Sequence, residues 1–127
     1  MSVNPELSII VPNYNNGQYI KDCIESILSQ SFDDYEIIIA DDRSDDNSRE
    51  IINEYVDKYP DRIKKIFNEY NLGVSRNRHN AILSSTGRYI TTLDSDDYYY
   101  SPKKLAAEIR LIEEHKKKYN SNIIAYS

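Results

Sequence analysis

Tyr89-Ile90-Thr91-Thr92-Leu93-Asp94-Ser95-Asp96-Asp97 is the stretch around which the sequence is organised. Its first five residues are typical of a short strand, and its end brings three carboxylates together within four residues. Charges of one sign this close repel one another, and a bound cation relieves that repulsion. Mg²⁺ and Mn²⁺ prefer oxygen ligands, and Mg²⁺ usually adds phosphate oxygens and water. The stretch therefore predicts that Asp94 and Asp96 hold a divalent metal ion and, through it, a phosphorylated ligand. The alternative is an acidic turn that caps the next helix.

The composition suits one soluble globular domain. The chain has 127 residues, of which 39% are hydrophobic and 29% are charged. A domain of this size buries about two thirds of the surface of its unfolded chain. The formal net charge of −5 argues against a general nucleic-acid binder. It does not exclude a nucleotide ligand, because a metal ion can supply the missing positive charge.

The sequence carries no sign of export or of membrane insertion. The apolar run Leu7–Val11 is too short for a signal peptide, and no segment has the length of a transmembrane helix. The single cysteine, Cys23, cannot form an internal disulfide. It falls on the apolar stripe of a predicted helix, so we expect a small core residue and not a nucleophile. We expect a cytoplasmic protein, and the alternative is one that attaches peripherally to the cytoplasmic face of a membrane.

Strand patterns alternate with helix patterns along the whole chain. The predicted strands are Leu7–Val11, Glu36–Ala40, Ile63–Phe67, Tyr89–Leu93 and Ile123–Ser127. Four predicted helices separate them, within residues 20–28, 51–59, 74–85 and 101–118. Pro12 is expected to end the first ladder. The alternation predicts an α/β fold, a Rossmann-like three-layer sandwich with a mostly parallel, doubly wound sheet.

Polar groups follow three of the predicted strands, at the point where each strand ends. They are the segment 12–15, the aspartate doublet 41–42 and the acidic cluster 94–97. In doubly wound sheets, ligands bind beyond the carboxyl ends of the strands. Tyr14 offers a face on which a base can stack, and an aspartate of the doublet could accept a hydrogen bond from a base N–H. With a diphosphate on the metal ion, these features predict a nucleoside-diphosphate site, although no glycine-rich phosphate loop is present.

These residues resemble glycosyltransferase family 2, whose members have the GT-A fold. The resemblance extends over nearly the whole chain. The segments that carry it are Ser8–Asn15, Ile24–Phe32, Glu36–Ser44, Asn71–Ser75, Gly87–Ile90 and Leu93–Asp97. Each motif is weak by itself, and the set is specific in this order and spacing.

The resemblance implies a set of site residues. Pro12 and Tyr14 would line the base pocket, and an arginine of the third helix would hold the nucleotide. The family often has Ala-Arg-Asn-x-Gly there, whereas this chain has Asn77-Arg78-His79-Asn80-Ala81, so the choice between Arg76 and Arg78 stays open. The implied nucleotide-binding residues are Pro12, Tyr14, Asp41, Asp42, Arg78, Asp94 and Ser95. The implied metal ligands are Asp96, as the direct ligand, and Asp94, with Asp97 close enough to assist.

The resemblance also implies the reaction. It is inverting transfer of a sugar from a nucleotide sugar, commonly a UDP-sugar, to an acceptor hydroxyl of a glycan or lipid-linked acceptor in polysaccharide or glycoconjugate synthesis. A divalent metal, Mn²⁺ or Mg²⁺, would stabilise the departing diphosphate. In the family the general base lies further along, which here means beyond Ser127. Residues 1–127 would thus be one nucleotide-sugar-binding domain without the acceptor-binding part. Alone it would transfer poorly, and its exposed edge could self-associate.

Three rival classes share some of these features. An aspartyl phosphatase also has Asp-x-Asp at a strand end, but usually on its first strand and with Thr or Val where this chain has Tyr98. A receiver-type signalling module collects acids and Mg²⁺ at strand ends, but it has an acidic pair after its first strand, where this chain has Asn13-Tyr14. A noncatalytic nucleotide-binding module is the third alternative.

Overall fold

The computed structural model describes residues 4–119, in which four strands alternate with four helices. The elements are β1 (Leu7–Asn13), α1 (Ile20–Leu28), β2 (Tyr35–Asp41), α2 (Ser48–Lys58), β3 (Ile63–Phe67), α3 (Val74–Leu83), β4 (Tyr89–Thr92) and α4 (Lys104–Tyr119). The predicted fifth strand, Ile123–Ser127, lies outside the described residues. The predicted alternation of strands and helices is confirmed over the described part.

The four strands form one parallel sheet in the order β3-β2-β1-β4. The chain first moves outward from β1 through β2 to β3, and then returns across the sheet to place β4 on the other side of β1. The strand order therefore reverses between β1 and β4. In open α/β sheets this is the place where a crevice opens beyond the carboxyl ends of the strands.

The two faces of the sheet bury separate apolar clusters, because successive side chains of a strand point to opposite faces. Ile9, Val11, Ile37 and Ile39 pack with α1, α2 and α4 on one face. The other face packs against α3, with Ile10, Ile38, Ala40, Ala81 and Ile82 in contact. Three layers result, and the predicted Rossmann-like sandwich is confirmed for residues 4–119.

Pro12 does not end the first strand, and this prediction was wrong. β1 continues to Asn13, and Pro12 pairs with Ala40 of β2. Alternate carbonyls of β1 point to opposite neighbours: the Pro12 oxygen accepts from the Ser95 amide at 3.3 Å, and the Asn13 oxygen accepts from the Asp42 amide at 2.9 Å. The missing N–H of Pro12 lies on the β4 side, where the regular ladder has already stopped at Ile10. The proline therefore costs β1 no ladder hydrogen bond.

At the opposite end of the sheet, a buried carboxylate joins three segments. Glu36 on β2 accepts hydrogen bonds from the Ser8 hydroxyl and from the Thr86 amide and hydroxyl, and it pairs with Lys64 at 2.6 Å. Gly87 passes so close to β1 that a Cβ atom there would lie 2.5 Å from the Ser8 amide nitrogen. The Gly87 amide donates to the Ser8 hydroxyl at 2.8 Å. This cluster fixes the start of β4 against β1.

Cys23 is a core residue, as expected, and we predict that it is inert. The side chain is fully buried on α1. Burial, followed by the charges of Asp97, Asp94 and Asp96, raises the pKa of its thiol to about 12. At pH 8 the thiolate fraction is therefore about one part in ten thousand. Iodoacetamide is expected to leave the folded protein unmodified and to alkylate it fully in urea. Rapid alkylation of the native protein would contradict this assignment.

Candidate functional site

A cavity of about 310 Å³ opens where the strand order reverses, beyond the carboxyl ends of β2, β1 and β4. Each of these strands contributes a loop, and α3 closes the remaining side. The lining residues are Pro12, Asn13, Tyr14, Asn16, Asp42, Val74, Asn77, Arg78, Asp94 and Asp96. The sequence predicted that the segment 12–15, the doublet 41–42 and the cluster 94–97 would converge at one end of the sheet. Members of all three line this cavity.

Asp42 organises the loop that leads into α3. One carboxylate oxygen accepts from the Leu72 amide at 2.7 Å and from the Asn68 side chain at 3.0 Å, and the other accepts from the Gly73 amide at 3.0 Å. Gly73 has φ +91°, a backbone conformation suited to glycine, and α3 begins at the next residue. A carboxylate has about four acceptor sites. Three are used here, and Asp42, which is 3% exposed, lines the cavity.

Asp41 lies beneath the site and not in it. It is fully buried and takes hydrogen bonds from Asn13 at 2.7 Å, from the Ser44 hydroxyl at 2.6 Å and from the Arg49 Nε at 2.7 Å. Burial raises its pKa, but the hydrogen bonds from Ser44, Arg49 and Asn13 outweigh this and hold the pKa below its ordinary value. Arg49 also donates to the Asn68 carbonyl at 2.7 Å. The Asp41 carboxylate therefore stays ionised and ties β1, β2 and β3 together under the cavity.

The acidic loop after β4 presents alternate residues to the cavity. Asp94 and Asp96 are exposed and line it, while Ser95 between them is fully buried. The Ser95 hydroxyl accepts from the Asn16 side chain at 3.0 Å, and its amide donates to the Pro12 carbonyl at 3.3 Å. These two bonds attach the acidic loop to the loop after β1. They hold the Asp94 and Asp96 carboxylates at the cavity and use neither carboxylate as a hydrogen-bond acceptor.

Arg78 supplies the positive charge of the cavity. It lies on α3 with one guanidinium nitrogen 3.6 Å from the Asp94 carboxylate, and both side chains are partly exposed. A pair of this kind is weak because water screens it. The Arg78 Nε is buried and has no hydrogen-bond partner among the described residues. A loosely paired guanidinium beside two carboxylates suits an anionic ligand that arrives with a metal ion.

Comparison with known proteins identifies the family. The family model described as glycosyl transferase family 2 matches residues 8–125, almost the entire chain. The chain belongs to glycosyl transferase family 2. The resemblance drawn from the sequence motifs is thereby confirmed.

Two relatives from Bacillus subtilis illustrate how this family 2 chain compares with longer proteins. EpsE, named as a glycosyltransferase, is 35% identical over 116 residues, which are 91% of this chain and 41% of EpsE. TuaG, named as a teichuronic acid biosynthesis glycosyltransferase, is 40% identical over 99 residues, which are 78% of this chain and 39% of TuaG. The chain thus spans about two fifths of the length of these relatives.

The fold of this family 2 chain matches solved GT-A structures. The S. aureus protein TarS, residues 1–349, is 30% identical with a TM-score of 0.79, and the match covers 87% of this chain and 33% of TarS. TarS has also been solved with UDP and with UDP-GlcNAc. The GT-A fold predicted from the motifs is therefore confirmed. Among residues 4–119, no helix is both long and apolar enough to cross a membrane.

The structure brings most of the predicted site residues together and separates two from the cavity. Asp41 and Ser95 are fully buried, belong to hydrogen-bonded supports and do not line the cavity, so nucleotide contacts for them stay a prediction. Arg78 lines the cavity, whereas Arg76 is exposed and does not. The predicted residues that line the cavity are Pro12, Tyr14, Asp42, Arg78, Asp94 and Asp96.

Three asparagines of the cavity were not predicted as site residues: Asn13, Asn16 and Asn77. Asn13 had a signal in the sequence, because it precedes Tyr14 in the polar segment 12–15, and Asn16 directly follows that segment. Asn77 had none. Its side chain donates to the Ala40 carbonyl at 3.0 Å and accepts from Asn68 at 2.8 Å, and neither partner is close to it in sequence.

The donor set at the acidic loop fits a metal ion that is shared with a phosphorylated ligand. Within the described part of the chain, no group of three or more His, Cys, Asp or Glu side chains is arranged to hold a metal ion. Asp94 and Asp96 provide two exposed carboxylates at the cavity. Mg²⁺ and Mn²⁺ commonly use one or two carboxylates and complete their coordination with phosphate oxygens and water. The residues present therefore fit this mode of metal binding and not a closed protein cage.

Proposed function

We propose that this chain is the donor-binding domain of an inverting glycosyltransferase that uses a nucleotide sugar, with UDP as the nucleotide. The acceptor is a hydroxyl of a glycan or lipid-linked molecule in polysaccharide or glycoconjugate synthesis. The site consists of Pro12, Tyr14, Asp42 and Arg78, with Asp94 and Asp96 for the metal ion. The UDP complex of TarS, a relative by fold and sequence, supports the choice of nucleotide.

The observation that carries the proposal is the order of the lining groups across the sheet. Asp42 follows β2, Tyr14 follows β1, and the acidic loop follows β4, and these three strands are adjacent in that order. Neighbouring strands lie about 4.8 Å apart, so the Asp42 end and the acidic end are separated by about 10 Å. This separation matches the extent of a nucleotide whose base lies beside Tyr14 and whose diphosphate lies at the acidic loop.

The side chains suit the separate parts of such a ligand. Tyr14 is 48% exposed and offers its ring to a base. The Asp42 carboxylate can accept a hydrogen bond from a base N–H. Arg78 can pair with the diphosphate, whose charge replaces that of Asp94 as its partner. When bound, the metal ion would stabilise the charge that develops on the departing diphosphate.

The proposal for residues 4–119 covers binding of the donor and not activation of the acceptor hydroxyl. In the family, the carboxylate that deprotonates the acceptor hydroxyl lies further along, in the acceptor-binding part. We therefore expect the isolated 127-residue chain to bind the donor and to transfer its sugar poorly or not at all. Release of UDP from a UDP-sugar, with and without added acceptor, measures this directly.

Calorimetry against UDP, GDP, CDP and ADP, each with and without Mn²⁺, tests the proposed function. We expect UDP to bind best and to need the metal ion. No binding of any nucleotide would overturn the proposal. Phosphorylation of the chain by a small phosphodonor, together with no nucleotide binding, would favour a receiver-type module.

Replacing Arg78 separates its role from that of the second arginine on α3. We expect Arg78→Ala to weaken Mn²⁺-dependent UDP binding by about 10- to 100-fold, because a charge-assisted hydrogen bond contributes about 1.5–3 kcal/mol. Arg76→Ala removes the same charge from an exposed position outside the cavity, so we expect little change. Uridine, which has no phosphate, should bind both variants equally. Equal losses of UDP affinity in the two variants would show a general charge effect and no specific contact.

A further inference from the structure

Another groove lies beside the acidic loop, and the proposed function gives it no role so far. Its volume is about 440 Å³, and most of its lining is apolar. The groove extends from Leu93 and Asp97, at the end of β4, to Ala107 near the start of α4. Asp97 directly follows the proposed metal ligand Asp96, so the groove and the nucleotide cavity are neighbours across one loop.

Three consecutive tyrosines, Tyr98, Tyr99 and Tyr100, line this groove, which we call the tyrosine groove. Tyr99 anchors the segment: it is 8% exposed, and its amide donates to the Ser26 hydroxyl of α1 at 3.0 Å. Tyr98 and Tyr100 are 46% and 84% exposed, and their ring centroids lie 4.7 Å apart with 50° between the ring planes. Adjacent aromatic rings that are left in water beside an apolar groove indicate a binding surface.

The polar groups of the tyrosine groove carry both signs of charge. The exposed Asp97 carboxylate accepts the Tyr98 amide at 2.9 Å, and Lys103 is exposed on the same groove. A sugar ring has the matching chemistry. The C–H groups of its face pack on aromatic rings, and the hydroxyl groups at its edge can donate to a carboxylate and accept from an ammonium group.

The position of the groove also favours a sugar as its occupant. In the proposed site the base lies near the end of β2 and the diphosphate lies at the loop after β4, which is the edge strand of the described sheet. The tyrosine groove therefore lies at the diphosphate end of the nucleotide, which is the end that carries the sugar to be transferred. An anionic lipid surface fits less well, because the three carboxylates of the acidic loop repel it.

We propose that the tyrosine groove is a saccharide subsite, in which a pyranose ring of the acceptor glycan packs against Tyr98 and Tyr100. Asp97 and Lys103 bind the hydroxyl groups of that ring. The role as an acceptor subsite rests on the proposed function, since it needs a sugar donor in the neighbouring cavity. The inference narrows the acceptor to a molecule that already contains a sugar ring, because a bare lipid alcohol has no ring to place on the tyrosines.

Saturation-transfer NMR on the 127-residue chain with UDP and Mn²⁺ tests the inference, with cellotriose, maltotriose and chitotriose as probes. We expect at least one trisaccharide to receive saturation at its ring C–H protons. Tyr100→Ala should weaken its binding by about 3- to 10-fold, as for the loss of one aromatic contact, and Tyr100→Phe, which keeps the ring, should stay within about 2-fold. The matched control is Tyr70→Ala, which removes a 70% exposed tyrosine outside the groove and should change nothing.

The affinity for UDP, measured on the same variants, separates this inference from the proposed function. Tyr98→Ala and Tyr100→Ala should bind UDP as the wild type does, because neither residue lines the nucleotide cavity. A wild type that binds UDP but none of the trisaccharides would overturn the inference alone. Equal losses in Tyr70→Ala and Tyr100→Ala, or in Tyr100→Phe and Tyr100→Ala, would overturn it as well.

A second measurement sets the saccharide against a membrane surface. Binding of the chain to phosphatidylglycerol vesicles, lost in Tyr100→Ala and accompanied by no saccharide signal, would assign the tyrosines to a membrane and overturn the inference. A wild type that binds no UDP would instead overturn the proposed function, and with it the acceptor role of the groove, even if a trisaccharide binds.

Discussion

Replacing Asp96 by Asn is expected to abolish the metal-dependent part of nucleotide binding. The substitution keeps the size of the side chain and removes the charge that the metal ion needs. Loss of a residue that only orients a metal ligand typically lowers the affinity for the metal ion by about 10- to 100-fold. Loss of a direct ligand should therefore lower the Mn²⁺-dependent affinity for UDP by about 100-fold or more. Calorimetry with and without Mn²⁺ gives the measurement. In Asp96→Asn the two affinities should become nearly equal, because the metal ion no longer contributes.

The control for this experiment is another exposed aspartate at the same edge of the sheet. Asp45 is exposed and lies outside the cavity, so Asp45→Asn makes the same charge change and should leave the metal dependence intact. Both variants should unfold within about 0.5 kcal/mol of the wild type, because exposed side chains contribute little to stability. Asp94→Asn should have a smaller effect than Asp96→Asn, since Asp94 already shares its charge with Arg78. Equal losses in Asp45→Asn and Asp96→Asn would show that net charge, and not metal coordination, governs binding.

Much of the fold was predictable because local patterns and packing agree. Ile37–Ile39 is continuously apolar and β-branched, as a strand covered on both faces requires, and it is buried in β2. The stretch Ile63–Phe67 was predicted with the bounds that β3 has. The end of β1 was not predictable from Pro12 alone. The penalty for a proline depends on which neighbour its missing N–H faces, and strand order decides that.

The candidate site was less predictable, although part of the missing information was present in the sequence. Adjacent residues at the end of a strand point in opposite directions, so only one of Asp41 and Asp42 could face the cavity. The same alternation puts Asp94 and Asp96 on one side of their loop and Ser95 on the other. Which aspartate of the 41–42 doublet faces the cavity depends on hydrogen-bond partners that are distant in the sequence. Arg49 holds Asp41 in the sheet, and nothing about residue 49 in the sequence identifies it as that partner.

The second large effect concerns Glu36, and we expect Glu36→Ala to lower the free energy of unfolding by about 3 kcal/mol. The carboxylate is 4% exposed, and its removal leaves the Ser8 hydroxyl and the Thr86 amide and hydroxyl without their acceptor. Each buried group left unpaired costs about 1–3 kcal/mol, and water can satisfy those near the surface. Urea unfolding followed by circular dichroism measures the change. Glu69→Ala, at an exposed loop position, serves as the control and should stay within about 0.5 kcal/mol of the wild type.

The Glu36 carboxylate should also make the free energy of unfolding depend on pH in the acid range. Burial raises the pKa of Glu36, but hydrogen bonds from Lys64, Ser8 and Thr86 outweigh it and hold the pKa below the ordinary value of 4.5. A group whose pKa is lower in the folded state stabilises the protein above its unfolded pKa, and this contribution is lost as the pH falls through the folded pKa. The wild type should therefore lose stability below about pH 4.5, and Glu36→Gln should lose less.

Asp41 and Asp46 also have pKa values lowered by hydrogen bonds that outweigh burial. Glu36→Gln should therefore reduce the loss of stability at acid pH, but part of that loss should remain. Glu6 acts in the opposite direction, because burial and a hydrogen bond with Glu113 raise its pKa. Unfolding free energies measured from pH 7 down to about pH 3 separate these contributions. Parallel curves for the wild type and Glu36→Gln would mean that this carboxylate is no more acidic in the folded chain than in the unfolded one. The hydrogen bonds that join β1, β2 and the start of β4 would then not stabilise its ionised form.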